Sequence, residues 1–341
     1  MVQIISFCIK KRYALSLWWC ILLFVPFFSA ATTYICTLVY CDLPEQRSYY
    51  PWVGAHSSSS SFHEIYWRCA AVMFATSKKF NAGVQHVLFT NKHEDEIPAV
   101  FMQLFKALDV KIVSLEMTYE PPAGYLSYRG IPSVYHAVLY NFDVFQYLNR
   151  MSEDNDTFVV LDSDCIWLDN ADELVSAVCQ KGIVNYPIDY SEDHVINGLT
   201  RNDCKNIYEE VLCNPCSSAP IHYGGELYGM TGQALKKIAS ELDLIWLAMM
   251  DRFTQGKKVF TAEEHFLSFI FNKLEYSPTL GERFIKRVAI NEQCKKVYPV
   301  LHLPAQKKSG FVKFFDAIQT TALLYLERWD YIEVCKDIFD F

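Results

Sequence analysis

Basic residues are in short supply: 31 Lys and Arg stand against 39 Asp and Glu in 341 residues, a net charge of -8. The pI lies near 5.6. Nucleic-acid binding needs a positive face for the phosphates, so this balance argues against that class of partner. Low-complexity sequence is nearly absent as well. Its one trace, Ser57 to Ser61, is too short for a linker and suits a loop. No internal repeat is visible, which excludes a stacked-repeat architecture.

The absence of charge from Tyr13 to Cys41 says most. Lys10, Lys11 and Arg12 precede it, and Ala14 to Ala31 carries adjacent tryptophans in a wholly apolar run. About twenty apolar residues span a bilayer, and a basic cluster ahead of them favours a cytoplasmic N-terminus with the rest translocated. The reading is a signal anchor, single-pass type II, placing the remainder in the lumen of the Golgi or ER. A cleaved signal peptide is the alternative, because Ser29-Ala30-Ala31 offers small residues to a peptidase. Beyond the anchor lie an even number of cysteines, compatible with lumenal disulfides, and a glycosylation sequon, Asn155-Asp156-Thr157. Cys204, Cys213, Cys216 and His222 lack the second close pair of a usual zinc site.

What is present is core material: 51% of the residues are hydrophobic and 15% aromatic, enough for one large or two ordinary domains. Strand and helix patterns alternate, as in a parallel sheet with crossover helices. Strands are expected at Thr33–Cys41, Val84–Thr90, Val110–Leu115, Thr157–Asp162 and Gly182–Tyr186, while Tyr223–Met230, with three glycines and paired tyrosines, reads as a ligand-lining loop or a glycine-rich turn before a strand. Helices are expected at His63–Phe80, Ile97–Leu108, Ser133–Leu148, Asn170–Cys179, Thr231–Leu242 and Thr261–Leu274. Asp189 to Ile221 is polar and cysteine-rich and reads as an irregular excursion. Phe311 to Phe341 has apolar residues spaced for an amphipathic helix that packs on the core.

Asp162-Ser163-Asp164 stands where the apolar strand Phe158-Val159-Val160-Leu161 stops. Residues two apart on a strand share a face, so two carboxylates lie side by side. Ligands of parallel α/β sheets bind beyond the carboxyl ends of the strands. Paired carboxylates there repel unless a cation relieves them, and hard oxygen donors favour Mn2+ or Mg2+. A polar turn is the bland alternative, but the apolar Cys165-Ile166-Trp167-Leu168 that follows is unlike a solvated turn.

The run FVVLDSDCIWLDNADELV resembles the DxD segment of GT-A glycosyltransferases. The resemblance implies an α/β GT-A fold: a Rossmann-like, mixed, mainly parallel sheet flanked by helices, following an N-terminal transmembrane helix. The implied organisation is a cytoplasmic tail at 1–12, the anchor at 13–31, a catalytic domain at 32–310 and the C-terminal helical segment at 311–341. It implies Asp164 as a metal ligand and Asp162 as a ligand of the metal or the ribose. Tyr40, Thr90 and Asn91, at two other strand ends, would hold uracil and ribose, and Gly224, Gly225 and Glu226 would line the sugar pocket. His302, with Lys307 and Lys308 downstream, is similar to the C-terminal segment of glycogenin-like members, where the histidine ligates manganese and the lysine meets the diphosphate. The glycine and the lysine-proline-tryptophan that accompany them there are missing here.

Thr261 and Glu264 have capping-box spacing, which accounts for Glu264 structurally. Glu263 is not so explained. An acidic residue at such a helix start removes the acceptor's proton in inverting members of the fold, so Glu263 and Glu264 are the catalytic candidates. The implied activity moves a monosaccharide from a nucleoside diphosphate sugar, UDP-linked, to a hydroxyl of a glycan or glycoprotein. It belongs to the hexosyl- or N-acetylhexosaminyl-transferase class, with stereochemistry left open. Two alternatives remain at this point. A HAD-like phosphohydrolase also begins with a strand and Asp-x-Asp, although there the motif opens the domain. A non-catalytic carbohydrate-binding member of the fold is the other.

Overall fold

β-Branched and aromatic residues build the first strand, β1 (Thr33–Val39), around which the rest of the chain is arranged. A computed structural model describes residues 31–50, 53–125, 127–128, 131–132, 136–276, 280–288, 296–320 and 323–341. The expected cytoplasmic tail and anchor fall on residues outside these, apart from Ala31. Among the described residues, no helix is long and apolar enough to cross a membrane.

From β1 the chain runs through α1 (Ser60–Phe80), β2 (Gln85–Thr90), α2 (Ala99–Ala107), β3 (Val110–Ser114) and α3 (Tyr140–Met151). Next come β4 (Thr157–Leu161), β5 (Cys165–Trp167), α4 (Asp172–Lys181), β6 (Ile183–Ile188), α5 (Arg201–Leu212) and β7 (His222–Thr231). The last third holds α6 (Gly232–Thr254), α7 (Glu263–Lys273), β8 (Ile285–Arg287), β9 (Val300–His302), α8 (Gly310–Thr320) and α9 (Arg328–Phe339).

The central sheet has the order β6-β7-β4-β1-β2-β3. β4, β1, β2 and β3 pair in parallel, whereas β7 runs antiparallel to both β4 and β6. This is a mixed, mainly parallel α/β sheet. Alternation along β1 sends Ile35 to one core and Tyr34 and Cys36 to the other, so both faces are covered. One core takes α1, α8 and α9; the other takes α3, α6 and α7. Each fully buried large side chain, such as Phe74 or Phe158, contributes about 1.5–3 kcal/mol relative to exposure.

A second sheet of three strands, β8-β9-β5, positions the candidate site. β4 ends at Leu161 and β5 begins at Cys165, so Asp162-Ser163-Asp164 is the connection between the two sheets. β9 runs antiparallel to β5 with His302 opposite Cys165. Polar groups of α1 and of Asn81 at its C-terminal end fasten this junction: Trp167 N–H donates to Thr76 Oγ1 at 3.1 Å, and Ala171 N–H donates to Asn81 Oδ1 at 2.7 Å. Buried bonds of this kind contribute about 1 kcal/mol each, and an orphaned partner costs more.

Several expectations need correction. The stretch from Asp189 to Ile221 is not irregular: it contains a hairpin, Val195–Ile196 with Leu199–Thr200, and α5. Thr200 and Asp203 form a capping box there, and Cys204, Ile207 and Tyr208 supply a buried face among polar residues. Helix α3 starts at Tyr140, after a 3-10 turn at His136–Leu139, later than the expected Ser133. Helix α6 runs on to Thr254, twelve residues past Leu242. The C-terminal segment is two helices rather than one, joined through a 3-10 turn at Leu323–Tyr325; Phe311, Phe314, Tyr331 and Phe339 are buried in the core. Every described cysteine is a free thiol, so disulfides are not found among the described residues.

Candidate metal and substrate site

A cavity of about 380 Å³ opens beyond the carboxyl ends of β1 and β4. Asp162, Asp164 and His302 meet on its floor. His302 Nε2 lies 3.3 Å from Asp164 Oδ1 and 3.4 Å from Asp162 Oδ2. One ligand atom from each falls within 4.8 Å of the others. The arrangement follows from topology: the antiparallel β5–β9 pair carries His302 back beside the DxD connection, and Leu303 N–H donates to Asp164 O at 2.9 Å.

Glu226, on β7, faces the other imidazole nitrogen, with Oε1 3.6 Å from His302 Nδ1. That exceeds a hydrogen bond, so the interaction is electrostatic. It has the layout of a carboxylate behind a metal-binding histidine, which orients the ring. Arg287 Nη1 donates to Glu226 Oε1 at 2.7 Å; the register of β8 on β9 sets Arg287 opposite His302. Lys307 Nζ donates directly to Asp164 Oδ2.

Charge is finely divided among these groups. Asp164 is buried, yet the Lys307 ammonium and the His302 imidazole hold its carboxyl well below the usual range. Glu226 is likewise held low against its burial by His302 and Arg287. Asp162 is pushed up by the dense surroundings, reinforced by Asp164 and Glu226 and opposed by His302. His302 is raised despite burial, chiefly by Asp164. Two carboxylate oxygens and an imidazole nitrogen suit a divalent cation that accepts hard donors.

Glu263 is the first residue of α7 and is 9% exposed. Its Oε2 has no hydrogen-bond partner, although Glu263 lines the cavity. Burial, then the charges of Glu264 and Asp162, raise its carboxyl well above the ordinary value. Glu264 is held differently: it accepts from Asn197 Nδ2, and His222 Nε2 lies 3.0 Å from its Oε2. The expected capping box is absent. The N-cap is Ala262 with no side-chain bond, because the Thr261 hydroxyl is turned to the carbonyl of Asn197 in the Val195–Thr200 hairpin.

Of the residues singled out in the sequence, Tyr40, Gly225, Glu226, Glu263, Glu264 and Lys307 line the cavity together with Asp162, Asp164 and His302. Thr90, Asn91, Gly224 and Lys308 do not. Thr90 is fully buried and its hydroxyl accepts from Lys92 N–H. Asn91 ties two strand ends, accepting from Cys41 N–H and donating to Cys41 O. Lys308 is exposed. Gly224 packs its Cα against Glu226 and Ile188, where a Cβ would stand 2.1 Å from Glu226 Oε2.

Sequence reasoning missed Asp42, Asn141, Asn197 and Arg287, all of which line the cavity. Asp42 was within reach: it follows the apolar run of β1 as Asp162 follows that of β4. It is 3% exposed, with neither oxygen hydrogen-bonded. Nothing in the sequence marks Arg287, which reaches the cavity only through the small sheet.

No protein-family model and no curated protein matches the chain. A solved structure similar to it is that of mouse xyloside xylosyltransferase 1 in its apo form. The two share 10% sequence identity, with 80% of this chain and 97% of the other covered and a TM-score of 0.48.

Proposed function

We propose that this protein is a metal-dependent glycosyltransferase that moves a monosaccharide from a nucleoside diphosphate sugar to a hydroxyl acceptor. The observation carrying it is the convergence of Asp162, Asp164 and His302 in one cavity at the carboxyl end of a mainly parallel sheet. That location is where open α/β sheets bind ligands.

Asp162, Asp164 and His302 would hold Mn2+ or Mg2+, with Glu226 orienting the imidazole. When bound, such an ion neutralises the diphosphate and so assists its departure. Lys307, beside Asp164, supplies a further positive charge where charge accumulates as the glycosidic bond breaks. The aromatic side of the cavity, with Tyr40, Tyr50 and Phe62, suits the nucleoside, which we take to be uridine. Glu263 is the candidate for binding the acceptor hydroxyl and taking its proton, since it lines the cavity and its buried Oε2 has no hydrogen-bond partner. Glu264 acts through its bonds to Asn197 and His222 as a positioning residue.

Finer features rest on the sequence: a hexosyl or N-acetylhexosaminyl donor, a glycan or glycoprotein acceptor, and type II anchoring in the Golgi or ER by residues 13–31. Calorimetric titration of the full chain with UDP, with and without Mn2+, tests the reading. Binding that requires the ion, and that is lost in Asp164→Asn, supports it. Absence of nucleotide binding in both conditions contradicts it.

A further inference from the structure

Both oxygens of Asp164 are already engaged by cations of the chain itself. Lys307 Nζ bonds to Oδ2, and the imidazole of His302 lies 3.3 Å from Oδ1. Lys307 is 8% exposed, and its ammonium stands 5.4 Å from the centroid of the Tyr66 ring, so it is packed into place rather than resting on a surface. A divalent ion taking Asp164 as ligand would bring two positive charges against that ammonium in a poorly solvated site. Like charges in such surroundings repel strongly, so one must move.

We infer that Lys307 is an internal counter-cation for the metal site, occupying Asp164 until a diphosphate offers it a new partner. The inference rests on the reading of Asp162, Asp164 and His302 as a metal site, and it concerns the order and coupling of binding rather than the reaction. Without nucleotide, the ammonium stabilises the acidic cluster and competes with the ion. When a diphosphate enters, Lys307 turns from Asp164 to the phosphate oxygens, and the vacated carboxylate oxygen becomes available. Ion and nucleotide then favour each other's binding by the same factor, as linkage requires. Only a short swing is needed: Lys307 lies just after a 3-10 turn at Pro304–Gln306, on the cavity wall.

The test is Mn2+ affinity in the absence of nucleotide, read from the electron paramagnetic resonance of free Mn2+, for the wild-type chain and for Lys307→Met. The methionine keeps the length of the stem and removes the charge. We expect Mn2+ to bind Lys307→Met roughly tenfold more tightly than wild type, and UDP to improve Mn2+ affinity less in the variant, within the usual span of coupling factors. Equal or weaker Mn2+ binding by a folded Lys307→Met overturns the inference and leaves the metal site standing. If neither protein binds Mn2+ with or without UDP, inference and metal site fall together. A wild-type measurement covers a variant that fails to fold: acetylation of Lys307 mapped by mass spectrometry. Its labelling is expected to rise several-fold on adding Mn2+ alone, and unchanged labelling at saturating Mn2+ overturns the inference.

Discussion

Gly225 lies against the carboxylate of Glu263 so closely that a Cβ at Gly225 would stand 2.7 Å from Glu263 Oε1. The glycine on β7 therefore fixes where the first carboxylate of α7 can be. In Gly225→Ala that flexible carboxylate must swing away, while the backbones keep their places. Thermal stability should change little, within about 1–2 kcal/mol, whereas glycosyl transfer falls roughly a hundredfold, since small misplacements at a reacting centre cost that much. Melting curves and initial rates on the same preparation check both halves. A variant that retains activity removes Glu263 from the chemistry.

Asp42 is buried without a hydrogen-bond partner, and burial pushes its carboxyl up to about 6. An unfolded aspartate titrates near about 3.9. Between these values the folded state holds more protons than the unfolded one, so stability declines as pH rises from about 4 to 6, by roughly 2 kcal/mol. The group costs nothing below about pH 4, where both states are protonated, and its full cost is present above pH 6. Urea unfolding at pH 4 and pH 7 should therefore show a smaller difference between the two pH values in Asp42→Asn than in wild type. An unchanged difference contradicts the assignment.

Glu264 is anchored by His222 and Asn197 rather than by a helix cap. Removing its carboxylate takes the partner from the buried His222 and the half-buried Asn197, so Glu264→Ala should lose about 2 kcal/mol. In a double-mutant cycle with His222→Ala, a coupling of about 1 kcal/mol is expected. Strict additivity would show that the pair does not interact.

The fold was legible where apolar periodicity and length agreed. The buried run Phe158 to Leu161 announced its strand, and the acidic pair after it announced the floor of the cavity. His302 was found through a resemblance, and its geometry depends on β9 pairing with β5, which no local pattern encodes. Local chemistry misled where tertiary contacts competed for it. Thr261 has the spacing of a cap but spends its hydroxyl on the carbonyl of Asn197, from a hairpin more than sixty residues earlier. Asn91 ends a strand like a ligand, yet its amide is consumed in joining that strand's end to Cys41. Helix α5 went unseen because its buried face is only Cys204, Ile207 and Tyr208 within a polar stretch.

The Gly232 backbone offers a stability test of the junction at the far end of β4. A Cβ there would meet the Glu153 carbonyl oxygen, a backbone atom, at 1.9 Å. Gly232→Ala should destabilise by about 3 kcal/mol, as overpacking without room to adjust does, and leave the Mn2+ affinity of the folded protein intact. Loss of that affinity with unchanged melting would contradict this separation.

The most direct measurement for the central claim is turnover of a panel of nucleotide sugars by the full chain, with Mn2+ or with chelator, in wild type and Asp164→Asn. The account predicts ion-dependent release of nucleoside diphosphate from at least one sugar donor, reduced roughly a thousandfold in the variant. Phosphate release from simple phosphomonoesters, with no turnover of any nucleotide sugar, would contradict it.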